Sequence, residues 1–475
     1  MSTNRRTLLA LSGALLAGAA GCTSDGPADE SNGDDTDGTG DDAIGSAGNG
    51  AFDTEPPAFP RLDFVTDPNV GEDPLAQQIR ANVAFSLEAL ARLREDDPDE
   101  NLFFSPYSIS VALAMTYAGA RGETASEMAE ALRYELEGEN LHDAFGALEA
   151  EFERRNEDGE TVETGEWSDD EDDEDDDLGF ELSSANAVWT DAGYPFDETY
   201  LEVLADSYGA GERTVDFAGD PDGARLEINE WVEDRTNDRI DDLLPDGSVD
   251  EMTRMVLTNA VYFLAAWEHD FDPSATESET FTALDGSETE VELMRQSTEL
   301  RYAEVEGHQL VELPYANGDT SMIVILPAEG EFESFEKSFS VDRLAIMLEE
   351  TSRSEVDLAL PTFEIESEFS LVDAMRELGM ERAFESDAEF EGMVDGEEDD
   401  LFVDDIRHKS FVSVDEEGTE AAAATAVVVE TAETEPPERV AMTVDRPFLF
   451  YVRDRPTETP LFLGRVVDGD SLSAG

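Results

Sequence analysis

The sequence predicts an α+β domain, and three observations favour this class. Helix-type spacing of apolar residues occurs mainly early in the chain, whereas short apolar runs typical of strands occur mainly late. The strand–helix–strand alternation that builds a parallel sheet is missing. No segment recurs at a period of about 20 to 50 residues, which argues against a solenoid. With 475 residues, the chain is long enough to bury a large core.

Two early segments carry the helical pattern. LAQQIRANVAFSLEALARL places Ile79, Val83, Leu87 and Leu90 on one helical face. SISVALAMTYAGARG is largely apolar, and Pro106 precedes it, where a first helical turn tolerates proline. We expect a helix at each segment.

Three later segments carry the strand pattern. MVLTNAVYF and MIVILP are short apolar runs typical of buried strands. VDLALPTFEIE alternates between apolar and polar residues, which predicts one half-buried strand. Strands are therefore expected mainly in the second half of the chain.

The charge of the chain limits its partners. It has 117 acidic and 29 basic residues, a net charge of −88. Such a surface repels itself strongly unless salt screens it, and at about 1 M salt the Debye length is only about 3 Å. We interpret the charge as adaptation to a high-salt environment, and it disfavours nucleic acid and anionic membranes as partners. Intrinsic disorder fits the tails but not the body, because 40% of the residues are hydrophobic.

The N-terminus has the pattern of an export signal. Arg5 and Arg6 precede an uncharged run that is too short to span a bilayer, and small residues lead to Cys22, the only cysteine. NRRTLL is similar to a twin-arginine signal and AAGC to a lipobox. We expect export, lipidation of Cys22 and anchoring on the outer cell surface, as in a haloarchaeal-type lipoprotein. Cleavage to a secreted soluble protein is the alternative.

Low-complexity segments set the predicted boundaries. Residues after Cys22 are rich in Gly, Asp, Ser and Thr and predict a flexible tether, and SDDEDDEDDDLG predicts a solvated insertion. Calcium binding by this insertion is possible, although the spacing of an EF-hand loop is missing. The predicted division is a signal at 1–22, a tether at 23–73, a folded domain at 74–469 with an acidic insertion at 157–179, and a tail at 470–475.

The search for catalytic chemistry gives no positive result. Motifs for nucleophilic serine, zinc hydrolysis or phosphate binding are absent from the sequence. The four histidines, His142, His269, His308 and His408, lack helical metal-ligand spacing. GDSLSAG contains an esterase-like string, but Ser471 is expected at a frayed end. We therefore predict that the protein is not an enzyme and has no metal or cofactor.

One late segment, EEGTEAAAATAVVVETAETEPPER, combines helix-favouring alanines with strand-favouring threonines and valines. Taken alternately, its residues divide into an uncharged set starting at Thr419 and a second set that includes Glu420 and Glu430. This pattern suits an exposed loop that can become a strand. An alanine-rich linker or short helix, or an aggregation-prone edge, fits these residues as well.

Four segments together identify a family resemblance. NLFFSPYSISVALAMTYAGARGETASEM, INEWVEDRTNDRIDDLLPDGSVDEMTRMVLTNAVYFLAAWEHDF, LALPTFEIESEFSLVDAMRELGM and FVSVDEEGTEAAAATAVVV with DRPFLFYVRDRPTETPLFLGRVV resemble the serpins, in order and spacing. The resemblance covers roughly Pro74 to Gly469. It implies a serpin fold with about nine helices, three β-sheets and an exposed reactive-centre loop.

The resemblance also implies a mechanism. In inhibitory serpins a serine protease cleaves the loop, and the freed part inserts into the main sheet and traps the acyl-enzyme, a case of strand addition. The hinge of this loop is small and uncharged on its buried face, which favours an inhibitor over a non-inhibitory binding protein or chaperone. The implied hinge residues are Glu417, Gly418, Thr419, Glu420, Ala421, Ala422, Ala423 and Ala424.

The position of the cleaved bond indicates the partner. Counting as in inhibitory serpins places it between Ala432 and Glu433, although the length of the loop allows any bond from Glu430 to Thr434. Ala432 suits a secreted subtilisin-like or elastase-like protease, whereas a bond after a glutamate implies an enzyme that prefers acidic residues. We expect a monomer that contacts a membrane only through a lipid at Cys22.

Other matched positions concern opening of the main sheet. Ser105, Ser108, Asn259 and His408 match a polar cluster called the shutter. Without the resemblance, a hydrogen-bonded core histidine is the preferred interpretation of His408. Trp267 matches the breach, the place where the loop starts to insert, and packing alone also explains a buried tryptophan.

Overall fold

The structure is a computed structural model, and it describes residues 51–62, 70–96, 98–159, 180–209, 213–395, 401–403, 405–419 and 439–472. They belong to one compact unit, Asn49–Gly475. Several predictions lie outside these residues: the export signal with Cys22, the hinge from Glu420 to Ala424, the bond between Ala432 and Glu433, and the acidic run at 168–179.

Nine α-helices occur in the described ranges. They are α1 (Glu72–Asp96), α2 (Pro106–Gly119), α3 (Gly122–Ala131), α4 (Glu139–Gly159), α5 (Glu198–Tyr208), α6 (Pro221–Arg235), α7 (Phe332–Ser338), α8 (Val341–Glu349) and α9 (Val372–Glu377). None of these helices has both the length and the apolar character that crossing a bilayer requires.

Seventeen β-strands occur in the described ranges. They are β1 (Leu102–Phe104), β2 (Phe180–Ser184), β3 (Ala187–Asp191), β4 (Arg213–Val215), β5 (Met255–Thr258), β6 (Ala260–Ala266), β7 (Glu277–Thr282), β8 (Glu288–Val305), β9 (His308–Pro314), β10 (Thr320–Leu326), β11 (Ser352–Pro361), β12 (Phe363–Ser370), β13 (Arg407–Val414), β14 (Gly418–Thr419), β15 (Arg439–Thr443), β16 (Phe448–Asp454) and β17 (Thr459–Val466).

The described strands form three sheets. The largest has the order β1-β17-β16-β10-β9-β8-β11-β15, with β7 paired to β8. The second, here called the main sheet, has the order β12-β13-β14-β6-β2, and the third has the order β4-β3-β5. Since β2 leads into β3 and β5 into β6, the third sheet continues the main sheet. The predicted α+β class is confirmed.

The two expected early helices are present. On α1, Ile79, Val83 and Leu90 are buried and Leu87 is partly buried, as their spacing predicts. The helix α2 is buried on nearly all sides, because it is apolar all round and packs against α1 and β17. Ser105 caps its N-terminus by accepting a hydrogen bond from the Ser108 backbone N–H. This cap places Ser105 and Ser108 next to the main sheet.

Aromatic rings fill the space between the sheets. The ring of Phe103 on β1 stacks against Phe450 of β16 and Phe462 of β17, with centroids 5.9 and 5.2 Å apart. Phe462 also meets Phe263 of β6, at 5.5 Å. These contacts tie the main sheet to the largest sheet.

The prediction of one strand at VDLALPTFEIE is wrong. The segment forms β11 and β12, which belong to different sheets, with a break at Thr362. Pro361, the last residue of β11, has no N–H to donate, and the Thr362 N–H still donates to the carbonyl of Glu292 on β8, so the chain leaves the largest sheet only after Thr362.

The predicted boundaries of the tether and the insertion also need correction. Residues 51–62 pack on the body, because Phe52 stacks with Arg343 and Phe59 contacts the core, and α1 already begins at Glu72. The helix α4 continues through residues 157–159, since Asn156 exchanges hydrogen bonds with the backbone of Leu182 and holds the last turn in place.

The predicted tail at 470–475 is also wrong for its first three residues. Asp470–Leu472 forms a 3₁₀ turn in which Leu472 is buried. Ser471 accepts a hydrogen bond from Asn101, so it does not lie at a frayed end.

Candidate functional site

The candidate site lies between β6 and β13, the central strands of the main sheet. At one end, called the closed end, the strands pair directly through Lys409–Ala260 and Ser410–Val261. At the other end, called the open end, Thr419 of β14 lies between them and pairs with Val414 on one side and Ala265 on the other. The strands are thus separated at one end only.

A tight turn places β14 in this gap. The Asp415 carboxylate accepts hydrogen bonds from the backbone N–H groups of Glu417 and Gly418, at 2.9 and 3.1 Å. The Asp415 N–H donates to the Gly418 carbonyl. Aspartate commonly makes such local turns. The chain therefore reverses after β13, and β14 runs antiparallel to it.

Two stacked aromatic residues line the open end. The rings of Trp267 and Tyr315 lie parallel, with centroids 4.6 Å apart. The Tyr315 hydroxyl is 2.9 Å from the hydroxyl of Thr419, which is fully buried. The Trp267 indole N–H donates to the Asp415 carbonyl at 3.0 Å, and its backbone N–H donates to Glu417. Trp267 thus holds both sides of the turn that leads into β14.

Carboxylates surround the turn. Burial, with a smaller contribution from the charge of Glu417, raises the pKa of Asp270 to about 6. Burial also raises the pKa of Asp415, although its backbone hydrogen bonds oppose this rise. Thr419 is the first uncharged side chain past this acidic turn that is buried in the sheet, and a charged side chain in its place would lose its hydration.

A hydrogen-bond chain, called the polar network, spans the sheet near the closed end. The Ser105 N–H donates to Nε2 of His408 at 3.2 Å, and His408 Nδ1 lies 2.7 Å from Asn259 Oδ1. Asn259 Nδ2 donates to the hydroxyl of Ser108 at 2.7 Å and to Asn186 Oδ1 at 3.1 Å. The polar network therefore connects α2 to both β13 and the β5–β6 junction.

The hydrogen bonds determine the tautomer of His408. Because Nε2 accepts from a backbone N–H, the ring proton lies on Nδ1 and is donated to Asn259. Asn259 then has its amide nitrogen left to donate onward to Ser108. Burial lowers the pKa of His408 to about 3, so the ring is neutral near pH 7.

The structure brings the sequence-predicted residues together in two groups. Ser105, Ser108, Asn259 and His408 share the polar network. Glu417, Gly418, Thr419 and Trp267 meet at the open end, on the same pair of strands.

Sequence reasoning missed three contributors. Tyr315 bonds Thr419, Asn186 bonds Asn259 and Ser108, and the hydroxyl of Ser410 bonds the Phe103 carbonyl. Asn186 and Ser410 interrupt strand-like segments with polar side chains, which is a usable signal. The Tyr315 hydroxyl becomes informative only once its burial is known.

The comparisons with known proteins agree with this geometry. Residues 80–469 match the family model described as Serpin (serine protease inhibitor). The chain is 39% identical over 371 residues to an uncharacterized serpin-like protein of Thermococcus kodakarensis, covering 78% of this chain and 81% of the relative. It is 36% identical to leukocyte elastase inhibitor A of Mus musculus, covering 82% and 99%.

Solved structures give the same result. The native state of tengpin, a thermophilic serpin, superimposes with a TM-score of 0.69 at 28% identity, covering 86% of this chain and 97% of tengpin. The relatives do not bear on the predicted haloarchaeal lipoprotein type, which stays a prediction. A family model that matches most of the chain, together with the expected fold, establishes that this protein belongs to the serpin family.

Proposed function

We propose that this serpin is a serine protease inhibitor that acts as a suicide substrate. A protease cleaves the segment after Thr419, the freed part inserts as a strand between β6 and β13, and the acyl-linked protease is distorted as it is carried along. The observation that carries this proposal is the position of Thr419, buried between Val414 and Ala265 at the start of the insertion path.

Few backbone pairs of the main sheet must separate for insertion. Only two residue pairs join β6 directly to β13, Lys409–Ala260 and Ser410–Val261. About ten ladder hydrogen bonds at roughly 1 kcal/mol each would form along an inserted strand, together with apolar burial of about 25 cal/mol per Å². The bonds formed outnumber those broken, so insertion is a one-way step.

The test is formation of a covalent complex. The protein is incubated in multimolar salt with a subtilisin-like or elastase-like serine protease and run on a denaturing gel. We expect an SDS-resistant band of the summed mass. Cleaved protein beside fully active protease would contradict trapping and would favour a non-inhibitory binding protein or chaperone.

A matched pair of variants tests the insertion path. Thr419→Arg puts a charge where the side chain must be buried, at a cost of several kcal/mol, so the complex should be lost while cleavage continues. Thr282→Arg makes the same change at an exposed position on β7 and should leave the complex intact. Equal complex formation by both variants would contradict the proposed path.

The proposed target is a secreted serine protease with a small specificity pocket, and the proposed bond lies between Ala432 and Glu433. The similarity to a leukocyte elastase inhibitor supports a protease of this type. Mass spectrometry of the cleaved chain locates the bond. A cut outside Glu430–Thr434, or after a basic residue, would contradict the assignment.

We further propose that the protein is exported and held on the outer cell surface by a lipid on Cys22. The support is the sequence alone: a twin-arginine-like start and AAGC. Cys22→Ser should move the protein from the membrane fraction to the medium. Unchanged fractionation would contradict lipidation, and release of the unchanged protein would favour a cleaved secretory signal.

A further inference from the structure

A cavity of about 530 Å³ opens beside the polar network. It lies between α2, α4, the C-terminal end of α5 and the chain segment that joins β2 to β3. Its floor includes Ser108 and Asn186, two members of the polar network, and its apolar lining includes Phe152, Val261 and Phe462. A volume in this range holds a small organic ligand.

One wall of the cavity is cationic. Arg213 and Arg235 both line it, and their guanidinium groups lie 4.3 and 5.5 Å from the ring centroid of Trp231. Within the described ranges no carboxylate lies within 4.0 Å of Arg213, in a chain where acidic residues outnumber basic ones 117 to 29. Burial, with a smaller contribution from the charge of Arg235, lowers the pKa of Arg213, whereas the charge of Glu227 opposes this effect.

Another part of the lining is acidic. Glu149 and Glu153 of α4 and Asp206 of α5 line it. The carboxylate of Glu149 accepts a hydrogen bond from the Tyr107 hydroxyl at 2.6 Å. Burial and the neighbouring Glu153 raise the pKa of Glu149, so a cation beside it would be favourable.

We propose that this cavity binds a small zwitterion with an apolar ring, of the class of a free aromatic amino acid. Its carboxylate pairs with Arg213, its ammonium with Glu149, and its ring packs against Phe152 and Phe462. A simple anion would leave the acidic wall unpaired, and a simple cation would leave Arg213 unpaired. A zwitterion satisfies both walls.

The ligand would also act on the main sheet, an effect that rests on the proposed function. The His408–Asn259 bond crosses the line along which β6 and β13 separate. A ligand against Ser108 and Asn186 stabilises the present orientation of Asn259. It therefore binds the uninserted form better and slows insertion, since a ligand shifts an equilibrium only by its differential affinity.

Calorimetry in multimolar salt with three probes tests the charge pattern. The probes are L-tryptophan, tryptamine and indole-3-acetate, which share one ring. We expect L-tryptophan to bind at least tenfold more tightly than either of the others. Arg213→Gln should remove its advantage over tryptamine, and Glu149→Gln its advantage over indole-3-acetate.

Two further variants keep the test decisive. Ala150→Trp fills the cavity from its exposed rim and should abolish binding, even if the charge variants fold poorly. Arg353→Gln, an exposed arginine outside the cavity, should change nothing. Equal binding of the three probes, binding unaffected by Ala150→Trp, or no measurable binding would overturn the site.

Binding needs no protease, so its failure is distinct from failure of the proposed inhibition. Binding that leaves the rate of complex formation unchanged would overturn only the effect on the main sheet.

Discussion

The open and closed ends of the β6–β13 pair differ in what lies between the strands. At the open end the gap holds main chain, with Thr419 in ladder pairing to both sides. At the closed end the strands touch, and side chains such as His408 and Asn259 connect them. In the proposed mechanism, one pair of strands therefore combines a starting point for insertion with a hydrogen-bonded restraint.

The difference teaches that, under the proposed mechanism, the two ends of one strand pair would respond differently to insertion. A ladder gains one hydrogen-bonded pair for every residue that enters, so the open end can extend step by step. The polar network has a fixed set of partners and must separate as a unit, because each member left unpaired and buried costs roughly 1 to 3 kcal/mol. Perturbing each end separately should therefore have effects of different size.

Cleavage near Ala432 should have the largest effect. Once free, the strand completes the main sheet and extends the pairing that Thr419 begins. About ten ladder bonds at roughly 1 kcal/mol each would exceed the stability of many domains, so the melting temperature should rise by tens of degrees. The measurement is limited proteolysis in multimolar salt followed by a thermal melt.

Thr419→Arg is the control for that melt. The same cut in this variant should give no rise, because a charged side chain at position 419 prevents the strand from seating between β6 and β13. An unchanged or lower melting temperature of the unsubstituted protein, at a confirmed cut between Glu430 and Thr434, would exclude trapping by insertion.

Asn259→Ala should have the next largest effect. It leaves the buried polar groups of His408, Ser108 and Asn186 without their shared partner. We expect the native form to lose about 3 to 5 kcal/mol and to insert its loop more readily on warming. Ser297→Ala is the control, because it removes only an exposed side-chain hydrogen bond to Asp357 and should lower the free energy of unfolding little. Similar losses in both variants would show that the polar network is not a restraint.

Sequence patterns predicted the helices of the fold because the signals for a helix lie within the helix itself. Ile79, Val83 and Leu90 on α1 are buried as their spacing predicts, and Pro106 begins α2. Burial of these α1 residues requires only that one face of the helix be apolar, and their spacing in the sequence shows this. The break at Pro361 was missed because an alternating pattern does not show which sheet each half joins.

The polar network was predicted as a group only through the family resemblance. The sequence alone indicates four polar residues separated by up to about 300 positions, and no local rule pairs His408 with Asn259. The cavity beside Asn186 was not predicted either, since its walls come from segments far apart in sequence. Such features depend on which strands pair and in what register, and a local sequence pattern does not reveal either.

Acid should weaken the closed end by a smaller amount. The pKa of His408 is about 3 when folded, against about 6.5 for an unfolded histidine. Below about pH 6.5 the unfolded chain therefore binds the extra proton, and this stabilisation decreases as the pH falls. The slope is at most about 1.4 kcal/mol per pH unit between those two values. It is measured as the unfolding free energy from pH 7 to pH 4.

His408→Gln should lose this part of the pH dependence, so its curve should be flatter than that of the unsubstituted protein. Phe369→Leu is the control, because it alters a ring that contacts His408 at 5.4 Å and leaves the titrating group in place. Its curve should be lower but parallel to that of the unsubstituted protein. A His408→Gln curve that is also parallel would mean that the pKa of His408 is similar in the folded and unfolded states.

Loss of the Tyr315 hydroxyl at the open end should have the smallest effect. Tyr315→Phe keeps the ring stacked on Trp267 and removes only the bond to Thr419. One neutral hydrogen bond contributes about 1 kcal/mol, so the native form should lose about that much. Thr419→Val removes the other partner without adding charge, and a double-mutant cycle of the two changes isolates the bond.

We expect a coupling energy near 1 kcal/mol and full retention of the protease complex, because a valine side chain at this position is still small and uncharged. Loss of the complex in Tyr315→Phe would mean that the hydroxyl guides insertion, and a coupling energy near zero would mean that stacking alone holds the open end.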